Sequence, residues 1–306
     1  MLLNRSDCFP HRTWLCVALA LLLASFGAWP APSTARAQEH QQGFQAQSRT
    51  QEAAAWADCF SLDGLLPEQR ARAEALFLAM LDSEALYTIA ADLKPMSSGY
   101  VRFQFEVAKP ELADIETTRA LLARFRCGDR FYADVLTFAA VYDGKRYAEG
   151  VVFNRAALER AIRAHPTYFA SFGLTPNAHP MAVVHTVEQA EPAARWRGYG
   201  YLFGYPDAAV DFFVTAGTSQ AETGKFVERD FRHIPTQTRA TGGFTWAVPR
   251  GSAETDEEKH LRTRALAVLE DYRARRARLI GEGKPGVVAL LRELTAQPAR
   301  KAAAAP

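Results

Sequence analysis

Residues 133–153 read ADVLTFAAVYDGKRYAEGVVF, and this stretch decides the fold class. Two β-rich runs, Ala133–Tyr142 and Lys145–Phe153, flank Asp143-Gly144. That dipeptide tolerates the positive φ angles of a type I′ turn, so the spacing predicts a two-residue hairpin. Leu136, Phe138, Ala140 and Tyr142 fall on one face of the first run, while Val135, Ala139 and Val141 fall on the other. Apolar residues on both faces predict a strand central to its sheet.

Outward from the hairpin, helical spacing dominates. Pro67 opens a run with Ala73, Leu76, Phe77 and Met80 on one face. Asp82 stands where a helix cap would precede Leu86, Ile89, Ala90 and Leu93. Val101, Phe103, Phe105 and Val107 then alternate with Arg102, Gln104 and Glu106, which predicts a half-buried strand. Helices are expected from Pro110 to about Arg126 and over 156–164, 181–190 and 207–216, with strands over 226–234 and 244–248. Thr255-Asp256-Glu257-Glu258 is a capping-box pattern opening the longest helix, expected to run to about Ile280. Mixed helices and strands without regular β-α-β alternation predict an α+β fold. It is expected to be a helix-rich single domain around a small antiparallel sheet.

The first 37 residues carry an address. Arg5, His11 and Arg12 precede the apolar run Trp14–Ala28, and Ala35-Arg36-Ala37 supplies small residues at −3 and −1 of a signal-peptidase site. An apolar core of about 15 residues is short of the roughly 20 that a membrane span needs. The expected organisation is a cleaved signal peptide over 1–37, a Gln-rich disordered leader over 38–55, one globular domain over 56–297 and a frayed tail over 298–306. The expected location is periplasmic or secreted, with no membrane span after cleavage.

Cleavage would remove three arginines and one aspartate, leaving 33 basic and 33 acidic side chains. That balance gives no electrostatic ground for nucleic acid as a partner. Of the four cysteines, Cys8 and Cys16 lie in the signal, so Cys59 and Cys127 remain. An even pair in an oxidising compartment predicts a disulfide, which stabilises by roughly 3–4 kcal/mol through chain entropy.

Candidate chemistry is sparse. His185-Thr186-Val187-Glu188 places an imidazole and a carboxylate on one helix face, and His179 or His233 could add a third metal ligand. The alternative reading is therefore an exported metal-dependent hydrolase using His185, Glu188 and His233. The ordinary reading of the pair is a solvated contact with no metal, with Val183, Val184 and Val187 facing the core. Gly198-Tyr199-Gly200-Tyr201-Leu202-Phe203-Gly204 departs from the dinucleotide spacing and places aromatics where pyrophosphate must approach, so no cofactor is expected. Its glycines suit close packing instead. Gly217-Thr218-Ser219-Gln220-Ala221 lacks the last glycine of a nucleophile elbow. The arginines at 273, 275, 276 and 278 complement a helix C-terminus.

Two clusters suggest a binding surface. Trp196, Tyr199, Tyr201, Phe203 and Tyr205 form an aromatic group. Arg229, Asp230, Arg232 and His233 gather charge in a strand, where Lys94 and Arg195 could join them along a cleft. The expectation is a protein that binds a small ligand or an envelope partner, with Trp196, Tyr199, Tyr205, Arg229, Arg232 and His233 as its candidate ligand-binding residues.

Overall fold

In the computed structural model, residues 58–296 are described. The expected signal, the whole of the expected leader, residues 56, 57 and 297 of the expected domain, and the C-terminal tail lie outside them. The hairpin forms as the turn chemistry requires. Strands β2 (Phe131–Tyr142) and β3 (Lys145–Asn154) pair antiparallel, and Tyr142 opposite Lys145 leaves Asp143-Gly144 as a two-residue turn. Both turn residues have positive φ, 49° and 73°. Strand β1 (Met96–Glu106) pairs antiparallel with the other edge of β3, giving the order β1-β3-β2.

The central strand is thus β3, and β2 is an edge, contrary to expectation. Its two-sided apolar character arises because helices cover both faces of the sheet. On one face Ala133, Val135, Ala148 and Val152 join a cluster with Phe77, Leu86, Phe125, Tyr272 and Leu291. On the other, Met96, Leu136, Val151 and Phe153 pack on Leu158, Val183, Val184, Val187 and Leu202. The first layer comprises α1 (Pro67–Asp82), α2 (Ala85–Ile89), α3 (Ala113–Leu122) and, nearer the C-terminus, two further helices. The second draws on α4 (Arg155–Ala164), α5 (Pro166–Ala170), α6 (Pro180–Gln189) and α7 (Pro192–Leu202). The fold is α+β, with ten helices and a second, two-stranded sheet among the described residues.

Each outer strand lifts off the central one once, at positions three residues apart along β3. Between the pairs Thr137–Ala148 and Val141–Arg146, three residues of β2 oppose Tyr147 alone. Between Ser98–Val151 and Arg102–Glu149, three residues of β1 oppose Gly150 alone. A Cβ on Gly150 would come within 2.6 Å of both the Tyr100 ring and Val101, so the β1 bulge closes down on a position that only glycine can fill. Such bulges re-aim side chains and release backbone amides from the ladder.

Downstream, α8 (Asp207–Thr223) leads to strands β4 (Arg229–Ile234) and β5 (Phe244–Pro249), which form the second sheet as an antiparallel ribbon. Helix α8 runs well past the expected end at Ala216. Ser219 therefore sits inside a helix, and the strand-turn-helix geometry of a nucleophile elbow does not form. Helix α9 (Asp256–Leu279) opens on the expected capping box: Thr255 accepts from the Glu258 amide, and Glu258 accepts from the Thr255 amide. Its arginines are largely committed to fold contacts. Arg276 clamps Asp82, Arg275 bonds Asp271, Arg278 pairs with Glu293, and Arg273 reaches Gln237. Asp82 is consequently the last residue of α1 and a tether to α9; Glu84 occupies the cap position of α2. Helix α10 (Val287–Thr295) completes the first layer.

Cys59 and Cys127 form the predicted disulfide. It joins the segment before α1 to the loop after α3, beside the contacting rings of Phe60, Phe125 and Phe131. Among the described residues no helix is long and apolar enough to cross a membrane.

Candidate functional site

The aromatic segment 196–205 is mostly helix α7, seated by its glycines. A Cβ on Gly200 would meet Val210 of α8 at 2.6 Å, and one on Gly198 would meet the Tyr168 hydroxyl at 2.2 Å and Val187 of α6 at 2.8 Å. From the other side, a Cβ on Gly217 of α8 would meet the Trp196 ring at 2.5 Å. These close approaches let α7 lie tightly between α6 and α8, with its large rings left to line whatever space remains. The Tyr199 and Phe203 rings stack at 5.6 Å, Phe203 contacts Tyr205 at 5.8 Å, and Tyr205 stacks on Phe244 of the ribbon at 5.8 Å.

The Tyr199, Phe203 and Tyr205 rings wall a pocket of about 440 Å³, inside the range of roughly 300–1,000 Å³ usual for small-molecule sites. Trp196, Tyr199, Phe203 and Tyr205 come from α7 and the loop after it, and Phe213 comes from α8. Phe231, Thr245 and Ala247 come from the ribbon. Ser98, Phe138 and Glu149 come from the three-stranded sheet, in or beside its two bulges. The lining is mainly aromatic with few polar groups. Glu149 is already held by Arg102 at 3.0 Å and by the Ser98 hydroxyl at 3.0 Å.

Trp196, Tyr199 and Tyr205 are therefore brought together, as the candidate surface requires. The charged strand divides. Arg229, Phe231 and His233 alternate onto one face of β4, where they pair with Pro249, Ala247 and Thr245, and of the three only Phe231 lines the pocket. His233 Nδ1 lies 2.9 Å from the Thr245 hydroxyl, and Arg229 lies over the Phe213 ring at 5.7 Å. Arg232 points the opposite way, donating to the Ser252 carbonyl at 2.5 Å near Glu258, so it is a structural side chain rather than a pocket residue. Lys94 and Arg195 do not line the pocket either. The Lys94 ammonium is fully buried behind it, 4.4 Å from the Phe244 ring, 5.2 Å from that of Phe203 and 2.5 Å from the Glu84 carboxylate. Burial pulls its pKa down despite that partner. Arg195 bonds the Glu188 carbonyl at 3.4 Å.

The His/Glu pair does not behave as a metal site. His185 is exposed, whereas Glu188 is 4% exposed and not solvated as expected. Its carboxylate accepts from the Ala139 amide at 2.9 Å and from the Tyr199 hydroxyl at 2.6 Å. Ala139 lies in the β2 bulge, where the amide has left the β3 ladder. A buried carboxylate needs such donors, and tertiary folding supplied them. Burial followed by the Glu188 hydrogen bond drives the Tyr199 pKa far above its ordinary value, so this hydroxyl stays a donor. His179 caps α6, accepting from the Met181 amide at 3.3 Å, and His233 is committed to Thr245. Among the described residues no three His, Cys, Asp or Glu side chains gather around one point that could hold a metal.

Phe138, Glu149, Phe213 and Phe231 were not among the sequence candidates. Phe231 had a signal, since Arg229, Phe231 and His233 alternate once the strand is confined to 229–234. Glu149 had none, because its place follows from the two bulges. Comparisons with protein-family models, with curated proteins and with solved structures find no match.

Proposed function

We propose that this protein is an exported binding protein for a small, largely apolar ligand, held between α7, α8 and the β4-β5 ribbon. The observation that carries this reading is the aromatic pocket itself. Its walls come from segments far apart in sequence, yet they converge on one concave space with a few placed polar groups, the usual make-up of a small-molecule site. Phe231, 54% exposed, and Phe213, 38% exposed, line it from the ribbon and from α8. Export is supported by the disulfide, because such bonds persist in oxidising compartments. It is supported further by the basic, apolar and small-residue pattern of residues 1–37. Nothing in the geometry favours the hydrolase reading, since Glu188 uses its oxygens to hold Ala139 and Tyr199.

The test is a fluorescence titration of the purified chain with the neutral apolar dye N-phenylnaphthylamine. Saturable enhancement with one site per chain is expected, weakened at least fivefold in Phe213→Ala/Phe231→Ala protein that keeps its wild-type circular dichroism. No saturable binding, or binding indifferent to that double substitution, would overturn the reading.

A further inference from the structure

Resting on that pocket reading, we infer the chemical class of its ligand: an organic cation, an ammonium head carried on an apolar body, with the head among aromatic rings beside the Glu149 carboxylate. Glu149 is the only acidic side chain among the described residues that line the pocket, and no lysine, arginine or histidine lines it. The structure gives this carboxylate two partners, Arg102 on Oε1 at 3.0 Å and the Ser98 hydroxyl on Oε2 at 3.0 Å. A carboxylate accepts at about four positions, so acceptor capacity is left on it. Its countercharge is the more dilute of the two: the Arg102 side chain is 68% exposed and screened by water, against 18% for Glu149.

The rings supply the rest. An aromatic face carries negative potential, and a cation taken out of water over it is held by that field. Two rings of the wall already hold a cation of this chain, and neither cation lines the pocket. Lys94 lies 5.2 Å from Phe203, and Arg229 lies 5.7 Å from Phe213. Trp196, Tyr199, Tyr205, Phe231 and Trp246 have no lysine or arginine over them among the described residues.

The planes of the wall differ. Trp196 stands at 84° to Phe213, and Trp246 at 40° to Tyr205. Faces turned in several directions can meet a cation on more than one side, as one flat stack could not. A neutral ligand would gain from the apolar walls but draw nothing from the charge of Glu149, and an anion would be repelled by it.

The experiment compares decyltrimethylammonium, decanol and decanoate, which share one tail, as competitors of N-phenylnaphthylamine. Wild-type protein should bind the cation about fivefold or more tightly than the alcohol, with decanoate weakest. Glu149→Gln removes the charge and keeps an oxygen for Arg102, while Trp196→Leu removes a ring and keeps apolar bulk. Each should lower the cation-to-alcohol ratio about threefold or more. A wild-type ratio of one or below overturns the inference without any variant. So does a ratio left unchanged in Glu149→Gln protein of wild-type circular dichroism or, if that variant misfolds, in Trp196→Leu protein. Either result leaves the pocket reading standing if decanol still displaces the dye. Failure of the dye to bind at all removes the pocket reading instead.

Discussion

The hydroxyl of Tyr199 and the amide of Ala139 donate to the same buried carboxylate, that of Glu188, at 2.6 Å and 2.9 Å. One side chain of α6 thereby fixes an aromatic wall of the pocket and the bulge of an edge strand. Glu188→Ala should destabilise the fold by roughly 2–4 kcal/mol, because two part-buried donors lose their acceptor together. Glu188→Gln should cost less than half as much, as its amide oxygen still serves one of them. Urea unfolding of both variants checks the order, and equal midpoints would contradict it.

Gly144 is the second position with a sharp expectation. Its φ is 73°, and an added Cβ would meet nothing within 4 Å. Gly144→Val should therefore cost about 1–2 kcal/mol through backbone strain alone, with no clash to relieve. A thermal melt shows this as a lowered midpoint with an unchanged far-ultraviolet spectrum.

Replacing both Cys59 and Cys127 by serine frees a 68-residue separation in the unfolded chain. The expected loss is roughly 3–4 kcal/mol, without a change of fold. Comparing the oxidised and reduced wild-type proteins in urea gives the same quantity and separates the bridge from the substitutions.

Glu258 supplies a pH dependence. Burial alone would raise its pKa. The Thr255 amide, the Trp246 indole at 2.8 Å and the charge of Arg232 outweigh that and hold it below the ordinary 4.5. A carboxylate depressed in the folded state stabilises fully above its unfolded pKa, and that stability drains as pH falls through the folded value. The chain should accordingly lose stability from about pH 4.5 downward, more steeply than Glu258→Gln protein. Parallel slopes for the two proteins below that pH would show that Glu258 is not the group responsible.

The parts that were legible in sequence are those whose cause is local. Asp143-Gly144 carries its own turn, Thr255 and Glu258 cap each other three residues apart, and the spacing of Val183, Val184 and Val187 already points them inward. What escaped is set by distant partners. Helix α7 contains Gly198 and Gly200 among aromatics, poor helix formers taken one by one, and forms because α6 and α8 accept its close approach. Edge strand β2 looked central because periodicity reports coverage of its faces, not its neighbours. Glu188 looked solvated because the amide that satisfies it belongs to a bulge 49 residues away. The pocket inherits this opacity. Trp196, Tyr199 and Tyr205 were visible as a cluster, whereas Phe138 lies in the β2 bulge and Glu149 lies on β3 between the two bulges, irregularities that no local pattern announces.

The wall of the pocket is shared by three parts of the fold: the three-stranded sheet, the α7-α8 pair and the β4-β5 ribbon. A molecule seated there touches all of them and acts as a non-covalent cross-link. Its binding free energy would then be felt as mechanical coupling, with amides near residues 98, 138, 200 and 245 slowing their hydrogen exchange in concert on ligation.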